Sequence, residues 1–363
     1  MPPEDLKGRL ARARAAMAER DLPALLLTQI DNVHWISGFT GSSAQVLLTA
    51  EAALIATDSR YTEQARSECP SLELVSLASS SPDAIVAVLG TLPVGRLGFE
   101  ASSVSVRMHG TLREQIPGAI ELIATDRLVE GLRLVKGVDE VARIEVACGV
   151  VDRAFERIVP EIRPGATERD VMLALEWHMR RDESADVSFD TIVASGPRSA
   201  LPHGRPSERV LAAGDMVTLD YGARVAGYCS DITRTVSLGR AGREEREVYH
   251  VVLDAMNRAI AAMRPGVSGR DVDAVARDHI SQAGYGDFFG HGLGHSLGRA
   301  VHDGPGLAPR SGITLAPGMV MTVEPGIYLP GRFGVRIEQD VLVTEDGARV
   351  LTHSPSHLME LPA

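Results

Sequence analysis

The chain has 363 residues, 44% of them hydrophobic and 23% charged, which is ordinary for soluble globular proteins and enough for two domains. Its net charge of -11 comes without a Lys/Arg cluster, and no stretch has the roughly 18–20 apolar residues of a membrane span or the apolar core of a signal peptide. With three scattered cysteines, we expect a cytoplasmic protein with no nucleic-acid or membrane partner.

The first part of the chain alternates helix-like and strand-like segments. Leu6, Leu10, Ala13 and Met17 recur at helical spacing. The predicted strands are 24–28, 44–49, 52–57, 73–77 and 120–123, and the predicted helices between them are 61–68 and 82–89. This alternation predicts an α/β domain over residues 1–130.

A hinge is expected over residues 128–137, before a long amphipathic helix. That helix has apolar residues at Val141, Ile144, Cys148, Val151, Phe155 and Ile158. The remaining residues, 131–363, form the second predicted domain.

This second domain contains an internal repeat. Residues 163–170 (RPGATERD) resemble 264–271 (RPGVSGRD), and 214–220 (GDMVTLD) resemble 318–324 (GMVMTVE), each about 100 residues later. Residues 227–231 likewise resemble 334–338. Recurring Pro-Gly turns and Val-rich strands could produce one such match by coincidence, but acids at matching places in two strands argue for two related α+β halves.

The matching acids are Asp220 and Asp231 in the first half and Glu324 and Glu338 in the second. Each lies at the end, head or middle of an apolar strand, where an unpaired carboxylate costs several kcal/mol. Arg234 and Arg336 could each neutralise one acid, so a structural salt bridge is the simpler interpretation of any single one. Four acids with few basic neighbours favour a metal instead.

Histidines accompany these acids. His291 and His295 lie in a glycine-rich loop, His302 follows, and His203 lies in another loop. Four carboxylates and one imidazole suit two divalent ions that activate a shared water for hydrolysis, rather than a structural zinc site. Oxygen-rich ligation favours Mn²⁺, with Co²⁺ or Zn²⁺ as alternatives.

Five segments together resemble the proline-specific branch of the pita-bread metallopeptidases, aminopeptidase P and Xaa-Pro dipeptidase. They are 219–222 (LDYG), 230–235 (SDITRT), 290–295 (GHGLGH), 323–328 (VEPGIY) and 335–338 (VRIE). Residues 32–42 (NVHWISGFTGS) resemble the N-terminal domain of that branch. The resemblance implies a pita-bread (creatinase/aminopeptidase-like) catalytic domain with a pseudo-two-fold repeat.

The resemblance also implies a role for each matching residue. Asp220 would bind one ion, His295 and Glu324 the other, and Asp231 and Glu338 would bridge both. Glu324 would also accept the proton of the attacking, metal-bound hydroxide.

The remaining roles concern substrate and assembly. His203, His291 and His302 would position substrate and stabilise the tetrahedral intermediate, and Arg336 would fix a carboxylate. His34 matches a position that reaches into the neighbouring protomer's site, which implies a homodimer.

The expected activity is hydrolysis of the bond between an N-terminal residue and a following proline. Residues 38–42 (GFTGS) favour aminopeptidase P, and an Xaa-Pro dipeptidase is the alternative. A binding module with this fold, or a metal-free enzyme resembling creatinase, would have lost the metal ligands that this sequence keeps.

Overall fold

The structure, a computed structural model, describes residues 5–79, 82–89, 94–116, 118, 120–182 and 186–363. Residues 1–4, part of the N-terminal segment interpreted above, lie outside the described residues. The chain divides into two compact units, of which the first ends at Arg133 and the second runs from Leu134 to Ala363. This division lies inside the range 128–137 where a hinge was expected, and the first part of that range, Leu128–Arg133, is a helix of the first unit.

The first unit alternates helices and strands, as predicted. In chain order they are α1 (Leu6–Glu19), β1 (Ala24–Leu27), α2 (Ile30–Ser37), β2 (Gln45–Thr49), β3 (Ala53–Thr57), α3 (Thr62–Glu68), β4 (Glu73–Ser76), α4 (Val86–Leu89, after a 3-10 turn over Pro82–Ile85), β5 (Arg96–Glu100), α5 (Val106–Gln115), β6 (Glu121–Thr125) and α6 (Leu128–Arg133).

These strands form one six-stranded sheet in the order β4-β3-β2-β1-β5-β6. Strand β2 is antiparallel to both neighbours, whereas β1, β5 and β6 run parallel. All four residues of β1 are buried, since apolar side chains cover both faces of the sheet. The unit is the expected α/β domain.

The second unit begins with the long amphipathic helix that the sequence predicted. Its elements are α7 (Val138–Ile158), α8 (Glu168–Arg180), β7 (Asp186–Val187), β8 (Ile192–Ser195), β9 (Met216–Tyr221), β10 (Ala223–Val225), β11 (Tyr228–Cys229), β12 (Ile232–Leu238), α9 (Arg243–Ala262), α10 (Gly269–Gln282), β13 (Val320–Val323), β14 (Gly326–Leu329), β15 (Phe333–Arg336), β16 (Gln339–Val343), β17 (Ala348–Val350) and β18 (Glu360–Leu361). Three-residue or longer 3-10 turns occupy Val159–Glu161, Gly196–Ala200 and Gly286–Phe288.

The pseudo-two-fold repeat is visible in hydrogen bonds that recur about 100 residues apart. Gly165 donates to the Leu211 carbonyl at 3.1 Å, and Gly266 donates to the Leu315 carbonyl at 2.9 Å. Both glycines have positive φ, +95° and +86°, a conformation that other residues adopt at a cost. The repeated Pro-Gly turns therefore set the same entry into α8 and α10, and the predicted repeat is confirmed.

Each half also contributes an antiparallel strand pair. Strands β9 and β12 belong to the sheet ordered β18-β12-β9-β8, and β13 and β16 belong to the sheet ordered β13-β16-β17. Each pair has its own apolar core behind it, so the acids at the strand ends have a rigid support. Among the described residues, no helix combines the length and the apolarity needed to cross a membrane.

Candidate active site

The four acids occupy the ends of these paired strands. Asp220 lies near the end of β9, and Asp231 comes directly before β12. Glu324 follows β13 directly, and Glu338 comes directly before β16. Because β9 pairs with β12 and β13 with β16, each half presents two acids at one end of its strand pair.

Acids from the two halves converge on one histidine. Carboxylate oxygens of Asp231 and Glu338 and a ring nitrogen of His295 all lie within 4.8 Å of one another. His295 Nε2 is 3.4 Å from Asp231 Oδ2 and 3.5 Å from Glu324 Oε1. The fifth predicted ligand, Asp220, lines the same cavity and receives a hydrogen bond from Arg336 Nη2 at 2.6 Å.

These carboxylates are short of positive charge. Asp220 Oδ1, Asp231 Oδ1 and Glu338 Oε1 are buried and accept no hydrogen bond within the described part of the chain. The pKa values of Asp231 and Glu338 are raised well above the usual range. Burial is the largest cause, and repulsion from neighbouring carboxylates adds to it. Unpaired, convergent carboxylate oxygens are the donor set that divalent cations need, so these residues fit a metal pair.

The imidazole of His295 is oriented by its own loop. Its Nδ1 lies 3.2 Å from the Ser296 carbonyl oxygen, which can only accept a hydrogen bond, so Nδ1 carries a proton and Nε2 is the nitrogen that faces the acids. A neutral imidazole held in this orientation would offer its Nε2 lone pair to a cation bound by the acids. The loop passes close to β13, since a Cβ on Gly294 would lie 2.0 Å from the Thr322 carbonyl oxygen, so only glycine fits there.

A buried hydrogen-bonded chain leads away from Asp220. Arg336, 4% exposed, donates to Asp220 and, through Nη1, to the Tyr328 hydroxyl at 2.8 Å. The same hydroxyl is 2.9 Å from His291 Nε2, and His291 Nδ1 is 2.8 Å from the Gly292 carbonyl oxygen. Burial lowers the pKa of His291 to about 4, so this ring is neutral near pH 7 and accepts a hydrogen bond from Tyr328.

One cavity of about 1220 Å³ brings together nearly all predicted site residues. It is lined by Asp220, Asp231, His295, Glu324, Glu338, His203, His291, His302 and Arg336, among others. The rings of His295 and His302 meet edge to face, with centroids 4.3 Å apart. The pKa of His302 is lowered mainly by burial, and repulsion from the imidazoles of His295 and His203 lowers it further.

The tenth predicted site residue, His34, is in the first unit. It lies on α2, and its Nε2 is 2.8 Å from the Gly41 carbonyl oxygen, so Nε2 carries the proton. Its suggested role in a neighbouring protomer's site stays a prediction.

Two residues around the site were not assigned from the sequence. Tyr328 lies within the 323–328 segment, at its last position, and β14 turns it towards Arg336. Asp340 accepts hydrogen bonds from the Asp231 backbone N–H at 2.9 Å and from the Cys148 thiol at 3.4 Å, and burial raises its pKa to about 7. Only the folded arrangement shows that Asp340 supports the turn that carries Asp231.

Residues 142–345 match metallopeptidase family M24, and residues 9–135 match the creatinase/prolidase N-terminal domain. The chain belongs to metallopeptidase family M24. It is therefore an enzyme, and the expected two-domain pita-bread architecture is confirmed.

Three similar M24 proteins cover almost the whole chain. An Xaa-Pro dipeptidase of Pyrococcus furiosus is 36% identical over 98% of this chain and 100% of its own length. The structure of an Xaa-Pro dipeptidase from Bacillus anthracis is 42% identical with a TM-score of 0.94, covering 98% of this chain and 100% of that one. The structure of an X-Pro aminopeptidase from Thermotoga maritima is 38% identical with a TM-score of 0.89, covering 97% and 99%.

Proposed function

We propose that this M24 enzyme hydrolyses the bond between an N-terminal residue and a following proline. The observation that carries the proposal is the convergence of Asp231, Glu338, Glu324 and His295, with unpaired buried oxygens, beside the histidines of one cavity. The similarity to proteins named for Xaa-Pro and X-Pro substrates supports the choice of proline.

We propose Asp220, Asp231, His295, Glu324 and Glu338 as the residues that would hold two divalent ions, with Mn²⁺ the best match to oxygen-rich ligation. When bound, the ions would lower the pKa of a water towards neutrality and make it a nucleophile.

The chain's own residues would perform the remaining steps. Glu324, whose pKa burial raises, lies beside His295 and would take a proton in the reaction. His203 and His302 lie on the cavity wall and would contact the proline ring and the developing oxyanion. Tyr328, held between His291 and Arg336, fixes the side of the cavity next to Asp220.

Substrate length divides the two candidate activities. The relatives favour an Xaa-Pro dipeptidase, and the preference for aminopeptidase P drawn from residues 38–42 is not confirmed. The aminopeptidase is kept as the second candidate because the cavity, about 1220 Å³, exceeds the roughly 300–1,000 Å³ of most small-ligand pockets. The similarity to the Thermotoga maritima X-Pro aminopeptidase supports the same candidate.

The deciding assay compares four peptides with Mn²⁺ present: Ala-Pro, Ala-Ala, Ala-Pro-Ala and Ala-Ala-Ala. An Xaa-Pro amide has no N–H, so an alanine in its place buries an unpaired donor at a cost of ~1–3 kcal/mol. We expect at least about tenfold higher kcat/KM for proline than for alanine at the second position. Cleavage of Ala-Pro identifies the dipeptidase, and cleavage of Ala-Pro-Ala alone identifies the aminopeptidase. Measurable and equal rates on Ala-Pro-Ala and Ala-Ala-Ala, or on Ala-Pro and Ala-Ala, would refute proline selectivity.

A homodimer and a cytoplasmic location remain parts of this proposal. Light scattering of the purified chain would test the dimer. If His34 completes a neighbouring protomer's site, His34→Ala should lower kcat/KM without loss of metal, and an unchanged kcat/KM would remove that role.

A further inference from the structure

A buried carboxylate on α8 holds both ends of the loop that carries His203. Glu168 is the first residue of α8, and its side chain is fully buried. Its Oε1 accepts from the Ser195 backbone N–H at 2.8 Å and from the Ser195 hydroxyl at 2.9 Å. Its Oε2 accepts from the Ser207 backbone N–H at 3.0 Å and from the Ser207 hydroxyl at 2.6 Å.

The segment between Ser195 and Ser207 has little regular structure of its own. After the 3-10 turn Gly196–Ala200 it is a loop, and His203 and Arg205 from this loop line the cavity. Arg198 ties its middle to the same acid, because Nε lies 3.0 Å from Glu168 Oε2 and Nη2 donates to the Arg205 carbonyl at 2.6 Å. The place of His203 on the cavity wall therefore depends on a carboxylate outside that wall.

In the second half a buried carboxylate also fixes a histidine loop, the one that carries His291. This carboxylate is at a different position in the repeat from Glu168. Gly269 occupies the place of Glu168 in the repeat, so no carboxylate is available there. Instead Asp273, 1% exposed, pairs with Arg277 and accepts from the Leu293 backbone N–H at 3.0 Å. Arg277 donates to the His291 carbonyl at 2.7 Å.

We infer that Glu168 is a positioning residue for His203, and that the Asp273–Arg277 pair is the corresponding device for His291. Five donor groups on one buried carboxylate are more than cap formation requires, since Thr167 and Asp170 already cap α8. The five donor groups belong to Ser195 and Ser207 at the two ends of the His203 loop and to Arg198 within it. The acid therefore acts on the active site through the loop rather than on the helix.

A double-mutant cycle tests this inference in the metal-loaded full chain, and this kinetic test rests on the proposed function. Glu168→Gln keeps the shape but loses a charge and one acceptor, and we expect kcat/KM to fall roughly 10–100-fold with metal content unchanged. In a His203→Ala background the same change should cost less than about twofold, because the positioned group is gone. Asp273→Asn is the matched control and should cost about the same with or without His203.

A spectroscopic test decides the inference independently of activity. In the Zn²⁺-loaded protein, which is diamagnetic, the Cε1–H resonance of His203 is assigned by its loss in His203→Ala. Glu168→Gln should shift or broaden this resonance, whereas Asp273→Asn should leave it in place and move that of His291. If wild-type protein does not cleave Xaa-Pro peptides, the proposed function fails. This measurement still tests whether Glu168 positions His203.

Ser207→Ala is the milder variant if Glu168→Gln does not fold. It removes one hydroxyl donor without touching the buried charge, and we expect the same resonance to move and kcat/KM to fall roughly 3–10-fold. An unchanged His203 resonance in the folded variants would overturn the inference. So would a Glu168→Gln loss of kcat/KM that persists undiminished in the His203→Ala background.

Discussion

Glu338→Gln should have opposite effects on the metal-free and the metal-loaded enzyme. Glu338 Oε1 is buried, no group among the described residues donates a hydrogen bond to it, and the carboxylate lies near that of Asp231. An amide removes one of two repelling charges and adds a donor, while its oxygen can keep the 2.7 Å hydrogen bond from the Thr233 hydroxyl. The metal-free variant should therefore be more stable than metal-free wild type, although the loaded variant binds metal poorly.

The size of the gain follows from the burial of Glu338. Relief of one unsatisfied buried polar atom corresponds to ~1–3 kcal/mol of unfolding free energy. For a unit of this size each kcal/mol shifts Tm by roughly 2–4 °C, so an increase of about 2–12 °C is expected. Loss of a metal ligand should lower kcat/KM more than the ~100-fold that removal of a ligand's supporting partner can cost.

The Tm difference between metal-free Glu338→Gln and metal-free wild type should increase with pH. In the folded metal-free protein the pKa values of Glu338 and Asp231 are raised, whereas the unfolded chain has ordinary carboxyl values near about 4. Between the unfolded and the folded pKa values, the folded state therefore binds more protons than the unfolded chain. Its free energy of unfolding consequently falls as the pH rises from about 4 through the raised pKa values. Glu338→Gln removes one of these groups, so its Tm should fall less than that of wild type.

Calorimetry after chelation, repeated between pH 5 and 8, measures both effects, with metal analysis of the untreated protein alongside. Glu345→Gln, at an exposed acid of the same unit, is the control and should change neither Tm nor metal content. A metal-free Glu338→Gln protein that melts below wild type would refute the electrostatic reasoning. Two retained metal equivalents with full activity would refute the assignment of Glu338 as a ligand.

Three further outcomes are expected. His203→Ala and His302→Ala should retain metal but lose ~10²–10³-fold in kcat, and loss of metal in either would show that it is a ligand. An NMR titration should find His291 neutral at pH 6, where an ordinary histidine is mostly protonated, because burial lowers its pKa to about 4. Burial raises the pKa of the Cys69 thiol to about 11 and that of Cys148 as well, so neither should react with a thiol reagent at pH 8 until the protein is unfolded.

The sequence predicted elements best where apolar periodicity was uninterrupted. Strands β1 to β4 lie within one residue of their predicted bounds, and all six apolar positions predicted for the long helix lie in α7. Strand β5 was missed because Gly98 interrupts its apolar run, yet this glycine packs closely, since a Cβ there would lie 3.1 Å from the Leu25 side chain. Helices α2 and α5 were missed as well, because each is short and carries polar residues on several faces.

In the candidate site, residues at strand ends were identified and their supports were not. Asp220 and Glu324 stand out because a carboxylate at the end of an apolar strand is costly without a partner. Glu168 is inconspicuous by the same test, since an acid in the first turn of a helix is common and usually faces solvent. Its burial results from the loop folding over it, which is a tertiary contact that no local pattern encodes.

The distribution of the proposed ligands over both halves has a kinetic consequence. Asp231 and Glu338 are about 100 residues apart in sequence. Ions that bind to both would join these two segments in the way that a covalent cross-link joins distant parts of a chain. Separation of the halves would then require the ions to leave first. The rate of metal release would then set how long the metal-loaded enzyme survives proteolysis or heat. This lifetime would be long even if the free energy of unfolding of the metal-free chain is small.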